Sequence, residues 1–306
     1  MKPRVSVVLP NYNHVAFIQQ RIESILNQTY QDFELIVLDD CSTDNSRDVI
    51  ENYRGNPHVS HIVFNVENGG SVFRQWIKGV GLAKGEWIWI AESDDVADPL
   101  FLEKMMAAAN LYSSAGLVYS HLRWIDAEGN VLGLDDAAGG ARFYTGDEFA
   151  VQKLLYSTTI YNVSSCIFKK DAFMQLNRSF FETMKCSGDY GFYLQMTQVT
   201  DVLEVMDVLT DYRQHKANTS IKLMKDGTSL EEDLRVLDFI CDRYRIPPSK
   251  YSRYWARMQT KNKCFHWNVQ KKVWKLYWVK HPKIVMWSLC YTVYYRLIGK
   301  GRVYGA

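Results

Sequence analysis

Two adjacent carboxylates, Asp94 and Asp95, follow the apolar run Trp87-Ile88-Trp89-Ile90-Ala91. Side by side at the end of a buried strand, they repel each other unless a cation or hydrogen-bond donors neutralise them. A hard divalent ion such as Mg²⁺ or Mn²⁺, sharing one or two carboxylates with diphosphate oxygens, removes that cost. Three more polar clusters follow apolar runs in the same way. They are Pro10-Asn11-Tyr12-Asn13, Asp39-Asp40-Cys41-Ser42-Thr43-Asp44, and Asn65 with Asn68-Gly69-Gly70. Taken singly, Asn-Tyr-Asn is also ordinary turn chemistry, and Ser42-Thr43-Asp44 is equally a helix cap. Taken together, they deliver ligand groups to one edge, because open α/β sheets bind ligands outside the carboxyl ends of their strands.

The elements that must carry these groups alternate short apolar runs with helical periodicity, the pattern of βαβ units and a mixed, mainly parallel sheet flanked by helices. Strands are predicted at 5–9, 35–38, 62–64 and 87–91, and helices at 16–26, 46–53, 72–83 and 100–109. A strand at 116–119 and a hairpin over 122–132, turning at 127–130, come next. Thr145 with Glu148, and Ser229 with Glu232, have capping-box spacing ahead of helices running to about 156 and over 234–244.

As an ordered set, Val5-Ser6-Val7-Val8-Leu9-Pro10-Asn11-Tyr12-Asn13, Phe33 to Asp40 with Ser42-Thr43-Asp44, Asn68-Gly69-Gly70, Ala83-Lys84-Gly85-Glu86 and Ser93-Asp94-Asp95 resemble the family 2 glycosyltransferases of the GT-A fold. The match is close over about the first 110 residues and looser to about 220. The resemblance implies an inverting transfer from a nucleotide sugar, with Tyr12 stacking on the base, Asp40 binding it, and the Asp94-Asp95 pair holding ribose and metal. The implied nucleotide-binding set is Pro10, Asn11, Tyr12, Asn13, Asp40, Ser42, Gly69, Gly70, Arg74 and Asp94, with Asp95 as the preferred direct metal ligand. A carboxylate at Asp40 can accept from the imide N–H of uracil or thymine, or from guanine N1–H; of these the resemblance implies uracil, and so a UDP donor.

Inversion needs a base for the acceptor hydroxyl. Asp189, in Lys185-Cys186-Ser187-Gly188-Asp189, resembles the family's catalytic aspartate; its other reading is a cap on the helix that follows. Tyr212-Arg213-Gln214-His215 resembles a segment that closes over the diphosphate. His215 is read there as a metal or phosphate contact. Arg74 and Lys78 are further phosphate candidates or simply a solvated helix face. The Gln-x-x-Arg-Trp motif of processive synthases is absent, which favours a single addition to a glycan or lipid-linked acceptor in cell-surface polysaccharide synthesis.

Composition bounds the rest. The chain has 306 residues, 47% hydrophobic and 23% charged, with six scattered cysteines and no CxxC pair, which fits a reduced cytoplasmic protein. The net charge of +2 conceals an asymmetry: no acid follows Asp242, while 15 Lys/Arg lie between Arg243 and Arg302. The expected layout is a GT-A domain over 1–220, nucleotide-binding to 110 and acceptor-binding beyond, and a helical extension over 221–306. The basic, tryptophan-bearing stretch 246–306 suits an anionic membrane surface on the cytoplasmic face; packing on the body or on a second copy in a homo-oligomer is the rival reading. A dinucleotide-dependent oxidoreductase is disfavoured, since no Gly-x-Gly-x-x-Gly follows the first strand. A nucleic-acid binder is disfavoured too, and a non-catalytic sugar- or nucleotide-binding protein is the remaining alternative.

Overall fold

The structure is a computed structural model that describes residues 2–155, 158–215 and 228–247, with scattered helical positions between 271 and 293. In chain order the first half contains β1 (Val5–Asn11), α1 (Ile18–Leu26), β2 (Phe33–Asp39), α2 (Ser46–Glu51), β3 (Val59–Phe64), α3 (Val72–Leu82), β4 (Trp87–Ile90), β5 (Val96–Ala97) and α4 (Phe101–Leu111). The second contains β6 (Ala115–Ile125), β7 (Val131–Leu134), β8 (Ala141–Tyr144), α5 (Gly146–Phe149), β9 (Cys166–Lys169), α6 (Lys170–Met174), α7 (Ser179–Glu182), α8 (Gly188–Met196), β10 (Asp201–Arg213) and α9 (Thr228–Arg243).

One sheet runs through both halves in the order β3-β2-β1-β4-β9-β6-β10-β5, with β7 beside β6 and β8 beside β10. The strands β3, β2, β1 and β4 are parallel, as βαβ crossovers require. β9 enters antiparallel between β4 and β6, and β10 returns parallel to β6. The two-residue β5, which follows Asp95 directly, pairs with Thr210 and Asp211 of β10. That pairing binds the carboxylate loop of the first half to the last strand of the second.

Strand pleating sends alternate residues to opposite faces. Val5, Val7 and Leu9 join a core with Ile18, Ile22 and Ile25 of α1 and Met105 of α4. Val8 joins another with Phe73 and Trp76 of α3, Phe192 and Leu194 of α8, and Leu237 and Ile240 of α9. The segment expected to open a C-terminal extension thus begins, over 228–243, inside this second core.

Three local readings differ. The separate strand and hairpin arm are one strand, β6, because Ser120 is buried and continues the ladder with β10. The Thr145–Glu148 capping box is present with both bonds, yet the α-helix ends at Phe149 and continues as a π-helical turn over Ala150–Leu154. Ser229 and Glu232 lie within α9, which starts at Thr228, and Glu232 instead accepts from the backbone N–H groups of Lys185, Cys186 and Ser187 at 2.7, 2.9 and 2.8 Å. Those tertiary donors outcompete the helix's own N-terminus. Among the described residues no helix is long and apolar enough to cross a membrane. The expected membrane segment over 246–306 lies almost wholly outside the described residues.

Candidate active site

The carboxyl ends of β1 and β2 are knitted by a buried aspartate. Asp39 accepts from Asn11 Nδ2 at 2.9 Å, from the Ser42 N–H at 3.0 Å and from Arg47 Nε at 2.8 Å. Asn13, at φ 56°, accepts from the Thr43 and Asp44 N–H groups and donates its own N–H to Ser42 Oγ. The polar groups of Asn11, Asn13 and Ser42 therefore hold the two loops together. Pro10 is buried in β1, and Tyr12 projects from this frame with 46% of its surface exposed, so its ring face is available for stacking.

Asp40 is held more tightly than a turn residue needs. Its Oδ1 accepts from Asn65 Nδ2 at 2.6 Å, Gln75 Nε2 at 2.7 Å and the Gly69 N–H at 2.9 Å. Gly69 leaves little room for a side chain there: a Cβ would stand 3.2 Å from Gln75 Nε2 and 3.3 Å from that oxygen. Gly70 adopts φ 69°, which glycine tolerates without strain, and its N–H reaches Asn68 Oδ1. Arg74 bonds back to the Gly69 carbonyl, and Lys78 to Asn65 Oδ1, so both cations brace the loop around Asp40.

After β4 the acids Glu92, Asp94 and Asp95 are deeply placed, and each has a different neighbourhood. Asp95 is 1% exposed and both its oxygens are engaged, by Ser164 Oγ at 2.6 Å and the Arg213 N–H at 3.1 Å. Burial and the charge of Asp94 raise its pKa. Asp94 instead faces two imidazoles. Its Oδ2 lies 3.0 Å from His215 Nε2, and one ligand atom from each of His14, Asp94 and His215 falls within 4.8 Å of the others. Burial opposes ionisation of Asp94, but the bond from His215 and the proximity of His14 hold it below the usual carboxylate range. Asp94, expected at the nucleotide, is the carboxylate of the candidate metal cluster, and both oxygens of Asp95, expected as the direct ligand, have protein partners.

The surroundings keep this cluster in place. His14 Nδ1 pairs with Ser93 Oγ at 2.7 Å, and burial lowers its pKa, which favours the neutral imidazole that can bind a metal. Arg213 is 2% exposed; its Nε donates to the Asp94 carbonyl at 2.8 Å and its guanidinium sits 5.0 Å over Phe17. Glu92 accepts from Trp76 Nε1 at 2.9 Å, and burial followed by the charge of Asp94 pushes its pKa up to about 8. Below them Arg21 is fully buried, its guanidinium 5.0 Å over the Trp89 ring, where it offsets the acids electrostatically.

Asp189 occupies the first turn of α8, one residue after Gly188, whose hydrogen lets the helix start on the Phe73 ring; a Cβ there would meet that ring at 2.4 Å. Burial, and then the charges of Asp233 and Glu232, push its pKa up to about 7 despite a bond from the Tyr190 N–H. Burial first, and then the charges of Cys166, Asp189 and Glu92, raise the pKa of the buried Tyr193.

The family model for glycosyl transferase family 2 matches residues 6–176, a span that contains the first loops, Asp40 and the β4 acids but not Asp189 and the groups around it, nor Arg213 and His215. The chain belongs to this family. Among its family 2 relatives, glycosyltransferase GlyG of Streptococcus pneumoniae serotype 4 is 32% identical over 50% of this chain and 48% of its own length. The chondroitin synthase of Escherichia coli is 28% identical over 82% of this chain and 34% of its own. The chain thus spans about half, or less, of these relatives. Staphylococcus aureus TarS, solved over 1–349 with UDP, superposes at TM-score 0.68 with 17% identity, covering 99% of this chain and 93% of that one, which establishes a shared fold.

Within this family 2 site, some participants escaped sequence reading. His14 stands next to Asn13 in the first loop, and a histidine beside a predicted ligand edge was a usable signal. Gln75, Trp76 and Ser164 were not marked by any: Gln75 and Trp76 read as helix interior, and Ser164 reaches Asp95 from 69 residues away.

Proposed function

We propose that this chain transfers a sugar, with inversion, from a UDP-linked donor to a glycan or lipid-linked acceptor. The observation that carries the reading is the cluster of His14, Asp94 and His215 at the carboxyl edge of the sheet, on the same frame as the Asp40 carboxylate and the Asp189 helix. Two imidazoles and one carboxylate are a better donor set for Mn²⁺ than for Mg²⁺, which prefers oxygen ligands and retained water. A divalent cation there supplies charge stabilisation to the departing diphosphate.

The chain's own residues do the rest. Tyr12 stacks on the base and Asp40, with Oδ1 locked by three donors, presents Oδ2 to the uracil imide N–H. Asp189 takes the proton of the acceptor hydroxyl as that oxygen bonds to the anomeric carbon and the bond to the diphosphate breaks. A buried carboxylate with a pKa near 7 is well matched to that proton transfer at neutral pH. The basic stretch after Asp242 would bring the enzyme to an anionic membrane bearing a lipid-linked acceptor.

The test is release of UDP from a panel of UDP-sugars, with and without Mn²⁺ and with chelator. Mn²⁺-dependent release supports the reading. Absence of UDP binding, or release indifferent to chelator, defeats it.

A further inference from the structure

A second concavity, of about 270 Å³, opens on the sheet between β6, β10 and the loop that leads into β9. His121, Asp135, Asp136, Tyr161, Ser165 and Glu204 are among its walls. It is coupled to the site already described through two consecutive serines: Ser165 lines the cavity, while Ser164 holds Asp95 and accepts from the Glu92 N–H. A ligand here lies against the same 3-10 turn, Val163–Ser165, that braces the carboxylate loop.

The walls have the chemistry of carbohydrate recognition. Tyr161 is half exposed and its ring is fixed by Trp124, with centroids 5.6 Å apart at 68°, so it offers a rigid aromatic face to apolar C–H groups. Burial, and then the charge of Asp135, raise the pKa of the Tyr161 hydroxyl. At the floor Glu204 accepts from Tyr144 Oη at 2.9 Å and pairs with His121 Nε2 at 3.1 Å, while His121 Nδ1 is fixed by the Asp136 carbonyl. His121, with both ring nitrogens donating to oxygen acceptors, has none left to accept, so the acceptors these walls provide for sugar hydroxyls are the carboxylates of Asp135, Asp136 and Glu204.

The charge of the walls adds a selection. Lys153 and Arg142 approach Glu204 at 3.7 and 3.9 Å, and among the described residues His121 is the one basic group in the lining. The three lining carboxylates, Asp135, Asp136 and Glu204, outnumber the single imidazole, which interacts electrostatically with Glu204 and Asp135. An anionic ligand would meet like charge, which is costly where solvent is partly excluded.

We propose that this cavity holds the glycosyl unit of the acceptor and admits a neutral or amino sugar in preference to a uronic acid. The assignment rests on the glycosyl-transfer reading above and adds the acceptor's class to it. The experiment is saturation-transfer NMR on the full chain with UDP and Mn²⁺, titrated with methyl glucoside, methyl glucosaminide and methyl glucuronide. Saturation of the first two and not the third is expected. Tyr161→Ala should weaken the glucoside by about tenfold, the effect of losing one well-placed aromatic contact, with UDP affinity unaltered. Asp136→Lys should let the glucuronide bind. Equal or better binding of the glucuronide by the natural chain overturns the proposal. So does absence of any glycoside binding, or binding that neither substitution changes, when UDP still binds; loss of UDP binding by the natural chain would instead remove the transfer reading beneath it.

Discussion

The carboxylate of Glu232, on α9, accepts the backbone N–H of Ser187, two residues before Asp189, at 2.8 Å, and takes the N–H groups of Lys185 and Cys186 as well. Three adjacent amides converging on one side chain fix a loop that has no strand or helix of its own. The base candidate therefore depends on a helix 43 residues downstream for its position.

Glu232→Ala leaves those amides without their acceptor, a loss of about 1–3 kcal/mol by the usual cost of unsatisfied buried donors. Turnover should fall with stability, while UDP affinity, set on the far loops, stays unchanged. Urea denaturation alongside UDP titration checks it. Glu232→Gln keeps acceptor oxygen on one side of the loop and should recover part of both losses; a Gln variant no better than Ala would show that the carboxylate acts through its charge on Asp189 instead.

For the metal position, Asp94→Ala and His14→Ala are each expected to abolish the Mn²⁺-dependent component of UDP affinity measured by calorimetry. Asp95→Asn should retain most of it, because Asp95 is engaged by Ser164 and Arg213. Loss of the metal effect in Asp95→Asn with its survival in Asp94→Ala would reverse the assignment.

Asp40→Ala should weaken UDP by at least about tenfold, since it removes both the imide acceptor and the anchor of Asn65, Gln75 and Gly69. Gln75→Leu separates the two effects: it takes away one donor to Oδ1 and leaves Oδ2 unchanged. A smaller loss of UDP affinity in that variant, read by the same titration, is expected.

Much of this frame was legible in the residues. The strand-ending clusters read correctly as one edge because period-two burial and the turns behind it are local properties. The Thr145–Glu148 box formed for the same reason, both its partners being three residues apart. Ser229 and Glu232 have identical spacing and did not form one, since the competing donors come from a loop that only the packing of α9 on α8 brings near. The choice between Asp94 and Asp95 was hidden in a similar way. Adjacent side chains diverge, and which of them meets histidines depends on β10 returning alongside β6 to place His215, 121 residues away.

The sharpest expectation concerns Asp189, where catalysis and stability pull in opposite directions. Its carboxyl holds its proton in the folded chain to about pH 7, against 3.8 for the ordinary group, because burial penalises the anion and Asp233 and Glu232 add like charge. Between those values the folded state binds more protons than the unfolded state, so stability falls as pH rises, and the full cost is present above about pH 7. Asp189→Asn removes the titration and keeps an acceptor for the Tyr190 N–H. Its melting temperature should therefore match the natural chain near pH 4 and exceed it increasingly toward pH 8. Activity should move the other way. Transfer by the natural chain should rise through an apparent pKa near 7 as the base ionises, and the Asn variant should lose about two to four orders of magnitude with UDP affinity intact. Melting curves and single-turnover rates over the same pH series read both. A variant that melts lower than the natural chain at pH 8, or keeps its rate, would make Asp189 a helix cap and leave the acceptor proton to another group.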